Sequence, residues 1–324
     1  MSTRLKPMTK KEKSLLARTL VIGVLMGGAS RERPVSLASG RAVARALKRL
    51  GHEVRPLDVR PGDVSAGLLD GLDVAFLALH GRWGEDGGIQ GELDALGACY
   101  TGSGPEASRL AMDKVVAKDR FSAAGVPTPA FRVAAPGDVD MLAEAMDKLG
   151  PILFVKPVAD GSSIGVSRTQ SMAALRRGAE KVWKGGDPAL VERCIVGREF
   201  TVGILGERAL PLVEIRTPGG WYNYHAKYRS DRTQYLLDHG LAPKVEDRMV
   251  EVALGAHGAL GCRDFSRVDV MLPDEGEPQV LEVNTIPGFT GHSLLPKAAA
   301  RAGLSFGHLC ERIAALAMRR ASRT

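Results

Sequence analysis

The sequence predicts a mixed α/β and α+β protein that opens with a parallel-sheet domain. Three observations carry that prediction. The first third alternates apolar strand, helix and strand at βαβ spacing. Beyond about residue 108, Gly and Pro connectors separate a second set of strands and helices. The chain has 324 residues, enough for two or three domains, and no apolar run of about 18 residues that could span a bilayer.

The elements follow in order. "TLVIGVLMGG" (19–28) is a continuous apolar run ending in glycines, as a buried parallel strand does. Val35, Ala38, Val43, Ala46, Leu47 and Leu50 recur at helical spacing, and Gly51 stops that helix. "EVRPLDV" (53–59) and "DVAFLAL" (73–79) are two further strands, so residues 1–108 read as one N-terminal α/β domain. A helix over 113–124 leads through the connector "VPTPAF" (126–131) into a strand at 130–134, a helix at 138–149 and the strand "PILFVKP" (151–157). A helix at 171–183 and the strand "ALVER" (189–193) complete a central unit, 109–194. The last unit, 195–324, has strands at 198–205, 209–215, 264–272 and 278–284, and helices near 244–260, 294–301 and 305–320. The polar, aromatic stretch "TPGGWYNYHAKYRSDRTQ" sits within 217–236, too long for a structureless loop, and reads as a lid or binding loop.

Composition narrows the class. Hydrophobic residues make up 44% and charged residues 25%, and aromatics only 5%, so the core is aliphatic and Ala-rich. The net charge of +7 is concentrated in part at the two ends, which read as solvated tails and not as a nucleic-acid or membrane surface. Cysteines 99, 194, 262 and 310 form no CxxC pair, which excludes a metal cluster or redox motif and fits a reducing compartment. No apolar segment or cleavage signal follows the charged start, so a cytoplasmic location is expected.

Several stretches carry chemistry. On "SRVDVML" (266–272) Arg267 and Asp269 share a face by the strand period of two, as Glu282 and Asn284 do on "VLEVNTIPG" (280–288). Two adjacent strands would then aim two carboxylates, an amide and a guanidinium into one site, with oxygen donors that suit Mg²⁺. Lys156 ends a strand and precedes "DGSSIG", small enough for backbone to close over a phosphate, with Ser162 and Ser163 adding hydroxyls. A flexible hairpin is the competing reading of that loop. No Walker A motif and no GxGxxG fingerprint occur. Glu32 opens the helix after the first strand and reads either as an ammonium ligand or as surface. His80, in "LALHGRWGEDGGIQG", reads equally as a turn residue or a substrate contact, and "YTGSG" (100–104) as a supporting turn.

In order and spacing, "MGGASRERPVSL", "ALHGRWGEDGGIQGEL", "YTGSG" before "AMDK", "VKPVADGSSIGVS", "GREFTVGIL", "YHAKYRSDRTQY", "RVDVML" and "LEVNTIPGFTGHSLLP" resemble the D-alanine–D-alanine ligases of the ATP-grasp superfamily. The resemblance runs from about Leu20 to Ala317. It implies a three-domain ATP-grasp fold with a Rossmann-like N-terminal domain, ATP gripped between the other two, and a homodimer. The implied reaction phosphorylates one D-alanine carboxylate and lets a second D-alanine amine displace the phosphate. By the same resemblance, Asp269, Glu282 and Asn284 hold two Mg²⁺ or Mn²⁺ ions. Lys114 and Lys156 contact the α- and β-phosphates and Lys227 the γ-phosphate, with Ser162 and Ser163 over them. Glu192, Arg193 and Ile195 meet adenine, and Glu199 the ribose. Glu32 holds the first D-alanine ammonium beside His80, Arg267 and the Gly288 N–H form an oxyanion hole, and Ser293 and Leu294 take the second carboxylate. Tyr228 links to Ser162 and Glu32 when the lid closes.

The chain departs from the family pattern at Pro34 for the usual Glu, Trp83 for the usual Gly and Arg193 for a common Lys, and in its basic extension before Leu20. Two alternatives remain from the residues: a D-alanine–D-lactate ligase, disfavoured by Tyr228, and a nucleotide-binding module without catalysis, disfavoured because the metal ligands and lysines are all present.

Overall fold

The structure is a computed structural model that describes residues 9–159, 161, 164–219, 221–222, 226, 230–291 and 293–322. Three sheets organise it. In the first, β1 (Val21–Gly27) lies between β2 (Glu53–Val59) and β3 (Val74–Leu77), all parallel. Helix α2 (Arg33–Arg49) crosses over from β1 to β2, with Pro34 in its first turn, where a missing N–H is harmless. Ala75 extends the sheet through a parallel bridge to Tyr100.

The second sheet, in order β4-β7-β5-β6, is antiparallel: β4 (Phe131–Ala134), β7 (Ala189–Arg193), β5 (Leu153–Pro157) and β6 (Ser167–Thr169). Helices α7 (Val139–Leu149) and α8 (Met172–Trp183), capped by Asp138 and Ser171, cover one face and close a separate apolar core. The third sheet runs β11 (Gln234–Leu236), β10 (Val213–Arg216), β8 (Gly197–Leu205), β12 (Phe265–Pro273) and β13 (Gln279–Asn284), with β9 (Arg208–Ala209) paired to β8. Helices α6 (Lys114–Ala123) and α9 (Pro243–Ala259) pack on it.

Helices α10 (Leu294–Arg301) and α11 (Phe306–Ala321) fill the space between the first and third sheets, so Ile22, Val213, Phe265 and Leu309 belong to one core. No helix of the described residues is long and apolar enough to cross a membrane.

The predicted elements recur, with differences at short ones. The strand expected at 209–215 is two, β9 and β10, broken around Pro211. Helices α3 (Ala66–Leu69), α4 (Gly88–Ala95) and α5 (Pro105–Met112) and strands β6 and β11 were not anticipated. The basic start is not merely a solvated tail. Thr9 and Glu12 form a capping box for α1 (Lys10–Leu15), Glu12 is buried against Arg319 of α11 at 3.2 Å, and Leu15 and Leu16 join the main core.

Candidate active site

The cleft between the second and third sheets is floored by β12 and β13. Their antiparallel register sets Arg267 opposite Asn284 and Asp269 opposite Glu282, with an irregularity directly after Asp269. Asp269 is buried and fully engaged. Arg267 donates to both its oxygens, at 3.0 and 2.9 Å, Thr201 Oγ1 donates at 2.7 Å, and Asn284 Nδ2 at 3.3 Å. Burial alone would lower the Arg267 pKa, but the charge and hydrogen bonds of Asp269 raise it above the usual arginine value. Among the described residues no three His, Cys, Asp or Glu side chains cluster as a metal site. A cation here therefore needs the Asn284 amide oxygen beside the two carboxylates, a donor set that suits a hard divalent ion.

Opposite, the second sheet supplies positive charge. Lys156 projects from β5, and Lys114 begins α6 behind its N-cap Asp113, with its N–H donated to Val158 O at 3.0 Å. Glu192 on β7 is buried, and its carboxylate lies 2.7 Å from Lys118 Nζ and 3.1 Å from Lys156 Nζ. Burial would raise its pKa, but the two lysines bring it below the usual carboxylate value. A cavity of about 320 Å³ lies between the sheets. Lys114, Lys156, Glu192, Arg193, Ile195, Glu199, Asp269 and Glu282 all line it, as do the apolar Phe154, Met271 and Leu281. Arg193 directs its Nε to Leu149 O at 3.0 Å, so its side chain is tied to the C-terminal end of α7.

The first sheet contributes Glu32, the N-cap of α2. A Cβ placed on Gly81 would lie 2.9 Å from Glu32 Oε2, and one on Gly161 3.2 Å, so both loops approach this carboxylate closely, and Gly81 does so at φ 76°. Glu85 accepts from Gly81 N at 2.6 Å. Burial first, and then the charge of Glu32, push its pKa up to about 8. His80 is buried, 3.2 Å from Ser39 Oγ, which accepts from Phe289 N at 3.2 Å. Burial lowers the His80 pKa to about 4, so it is neutral near pH 7 and braces the loop after β13. In that loop, a Cβ on Gly288 would meet Ser293 Oγ at 2.8 Å, and Ser293 N-caps α10 with Leu294 at its first position.

Of the stretch 217–236, Gly219, Trp221 and Tyr222 line the cavity. Trp221 packs on Phe154 of the second sheet, ring centroids 5.4 Å apart, and Tyr222 OH bonds Tyr235 OH at 2.9 Å. Ser162, Ser163, Lys227 and Tyr228 lie outside the described residues.

The cavity thus gathers eight of the residues singled out in the sequence, Lys114, Lys156, Glu192, Arg193, Ile195, Glu199, Asp269 and Glu282, while Asn284 is not among its lining. Glu32, His80, Gly288, Ser293 and Leu294 sit on the turns and loop beside the first sheet. Sequence reasoning missed Thr201, Lys118, Glu85 and Trp221. Lys118 carried a signal, since it lies four residues after Lys114 on one helix.

A parallel-sheet domain followed by two antiparallel sheets facing a lysine- and carboxylate-lined cleft defines the ATP-grasp class of nucleotide-dependent enzymes. Comparison with known proteins narrows it. A family model for the D-ala D-ala ligase C-terminus matches residues 121–315. The D-alanine–D-alanine ligase of Aromatoleum aromaticum is 46% identical over 289 residues, 89% of this chain and 93% of its own. That of Desulforudis audaxviator is 45% identical, over 92% and 99%. The Bacillus anthracis ligase in complex with ATP superposes with a TM-score of 0.81 at 32% identity, over 94% of this chain and 99% of its own. The Enterococcus faecalis D-Ala:D-Ser ligase superposes at 0.82 with 28% identity, over 93% and 100%. The chain belongs to the D-alanine–D-alanine ligase family.

Proposed function

We propose that this chain joins two D-alanines at the expense of ATP for peptidoglycan precursor synthesis, through a D-alanyl phosphate. The observation that carries the reading is that Asp269 and Glu282, paired across β12 and β13, line one cavity with Lys114 and Lys156.

Phosphoryl transfer depends on charge and positioning more than on covalent help. In this reading Lys114 and Lys156 hold the α- and β-phosphates, and Lys227, Ser162 and Ser163 attend the transferred phosphate. The segment around Ile195 and Arg193 reads adenine by backbone, Glu192 holds Lys156 there, and Glu199 meets the ribose. Asp269, Glu282 and Asn284 would hold Mg²⁺ or Mn²⁺, two ions, which when bound neutralise the phosphate oxygens. Glu32 orients the first D-alanine by its ammonium, and the neutral His80 keeps the adjoining loop in place. Arg267, kept charged by Asp269, and the Gly288 N–H stabilise the oxyanion formed when the second amine attacks. Ser293 and Leu294, at the start of α10, take the second carboxylate. Tyr228, with Ser162 and Glu32, completes closure, which excludes water from an acyl phosphate.

Units 1–108, 109–194 and 195–324 act as three domains, with 217–236 as the lid, in a cytoplasmic homodimer. The family relatives favour the dipeptide product over a D-lactate ester or a nucleotide-binding module without catalysis.

The test is ADP release with D-alanine, L-alanine and no amino acid, with the product identified and D-lactate offered as competitor. ADP release should require D-alanine and yield the dipeptide. Nucleotide consumption indifferent to D-alanine would overturn the reading. Glu282→Ala should reduce turnover by about a hundredfold or more, with the thermal unfolding curve unchanged. Near-normal turnover in that variant would remove the metal assignment.

A further inference from the structure

Beyond the expected nucleotide contacts, one buried cation stands behind the cavity. Lys118 is completely covered, yet it carries three N–H donors into the interior. It donates to Thr128 Oγ1 at 2.7 Å and to Pro129 O at 3.1 Å, and it pairs with the Glu192 carboxylate at 2.7 Å. Its ammonium also lies 5.5 Å from the centre of the Phe131 ring. Removing a lysine from water is costly unless it is paired and hydrogen-bonded, and an apolar side chain would fill the same space at less expense.

The arrangement makes sense electrostatically. Glu192 touches two ammonium groups, Lys118 on its buried side and Lys156 on its cavity side. With Lys156 alone, the carboxylate would cancel the charge offered to the cavity. With both lysines the trio keeps one net positive charge, and Lys156 is the member that lines the cavity.

The same ammonium reaches the third sheet. Thr128 Oγ1, which accepts from Lys118, donates to Val280 O of β13 at 2.8 Å, and Val280 N donates to Pro127 O at 2.8 Å. Val280 is two residues from Glu282 on the same strand. A single side chain thus joins the connector, the strand bearing Glu192 and the strand bearing Glu282.

We propose that Lys118 is a positioning residue of the nucleotide site, holding Glu192 so that Lys156 keeps its charge toward the triphosphate, and tying that pair through Thr128 to β13. The inference rests on the ATP-dependent ligase reading and adds to it a residue that touches neither substrate. It also implies a pH dependence. Burial lowers the Lys118 pKa to about 8, while Glu192 raises it and Lys156 lowers it, with Glu282 of β13 a weaker favourable charge. As pH rises through that value Lys118 loses its proton, the trio becomes neutral, and the attraction for ATP weakens.

The experiment measures MgATP binding by calorimetry, without D-alanine, from pH 7 to 9, together with KM for ATP and kcat. It compares the wild-type chain with Lys118→Met, Lys118→Arg and Thr128→Val. Lys118→Met should raise Kd and KM for ATP by about tenfold or more, the effect of losing one nearby charge, with a smaller change in kcat. Wild-type affinity should fall above about pH 8. Lys118→Arg, which does not titrate there, should stay within about threefold of wild type at pH 7 and lose the alkaline fall. If Lys118→Met does not fold, the Arg variant's pH profile and Thr128→Val decide the matter, the latter expected to lower kcat while leaving the alkaline fall in place. Wild-type ATP affinity in Lys118→Met, or an unchanged alkaline fall in Lys118→Arg, overturns the inference alone. A wild-type chain that binds no ATP removes the ligase reading and this inference with it.

Discussion

Gly87 and Trp83 show how much single backbone angles matter in the turn that carries His80 and Glu85. Gly87 N-caps α4 at φ 97°, and a Cβ there would sit 2.5 Å from Pro105 O, a backbone atom that cannot swing aside. Gly87→Ala should therefore destabilise the protein by about 2–4 kcal/mol, combining a left-handed penalty with overpacking. Chemical denaturation with an unchanged slope would check it. Trp83 adopts φ 69°, which non-glycine residues avoid. The resemblance to the ligase family implies Gly at this position without giving its reason. Here the strain is offset by the Trp83 Nε1 donation to Glu92 at 2.7 Å and by Asp86 accepting from its backbone at 2.8 Å.

At the scale of elements, the long apolar strands and amphipathic helices were legible because their periodicity extends over many residues. Helices α3 to α5 and strands β6 and β11 were not, being too short for a period to show. In the same way, period two placed Arg267 with Asp269, and Glu282 with Asn284, but only the register of β12 on β13 sets Asp269 against Glu282. Contacts that cross between strands, such as Thr201 to Asp269, leave no local signal. The edge of the third sheet gives another case. Glu214 on β10 is buried and grasped by Arg198 of β8 at 2.7 Å and by Arg216 at 2.9 Å, and Arg198 also donates to His239 O at 2.6 Å. Burial would raise the Glu214 pKa, but the two arginines carry it down to about 2. Its folded value is depressed, so its stabilising contribution is complete above the ordinary glutamate pKa near 4.5 and is lost as pH falls toward 2. Glu214→Gln should lower Tm at neutral pH and flatten the dependence of Tm on pH between about 4.5 and 2, measured by calorimetric scans. An equally steep acid limb in the variant would place the acid sensitivity elsewhere.

Over the described residues, the first and last helices are bound into one body with the first sheet. Helix α11 lies against α2 of the first sheet and against α1, while His52 and Glu311 meet at 3.1 Å across the same seam. Leu309, Cys310 and Ile313 of α11 are buried with Ile22, Val24 and Phe76 of the first sheet, some 230 or more residues earlier in the chain. The second sheet keeps a core of its own, built from Leu142, Leu153, Val155 and Leu175 among others. Two cooperative units of different make-up follow, because local opening tracks the core that an element shares. Leu309→Ala deletes a fully buried side chain and should cost about 2–4 kcal/mol. Its effect should cross the sequence. Hydrogen exchange should accelerate in β1 and β3 as much as in α11, while the amides of β5 and β7 keep their wild-type rates. Exchange that sped up in α11 alone would mean that the ends fold separately. Acceleration in β5 and β7 to the same degree would mean that the second sheet has no independent core and that the cleft opens only when the entire chain does.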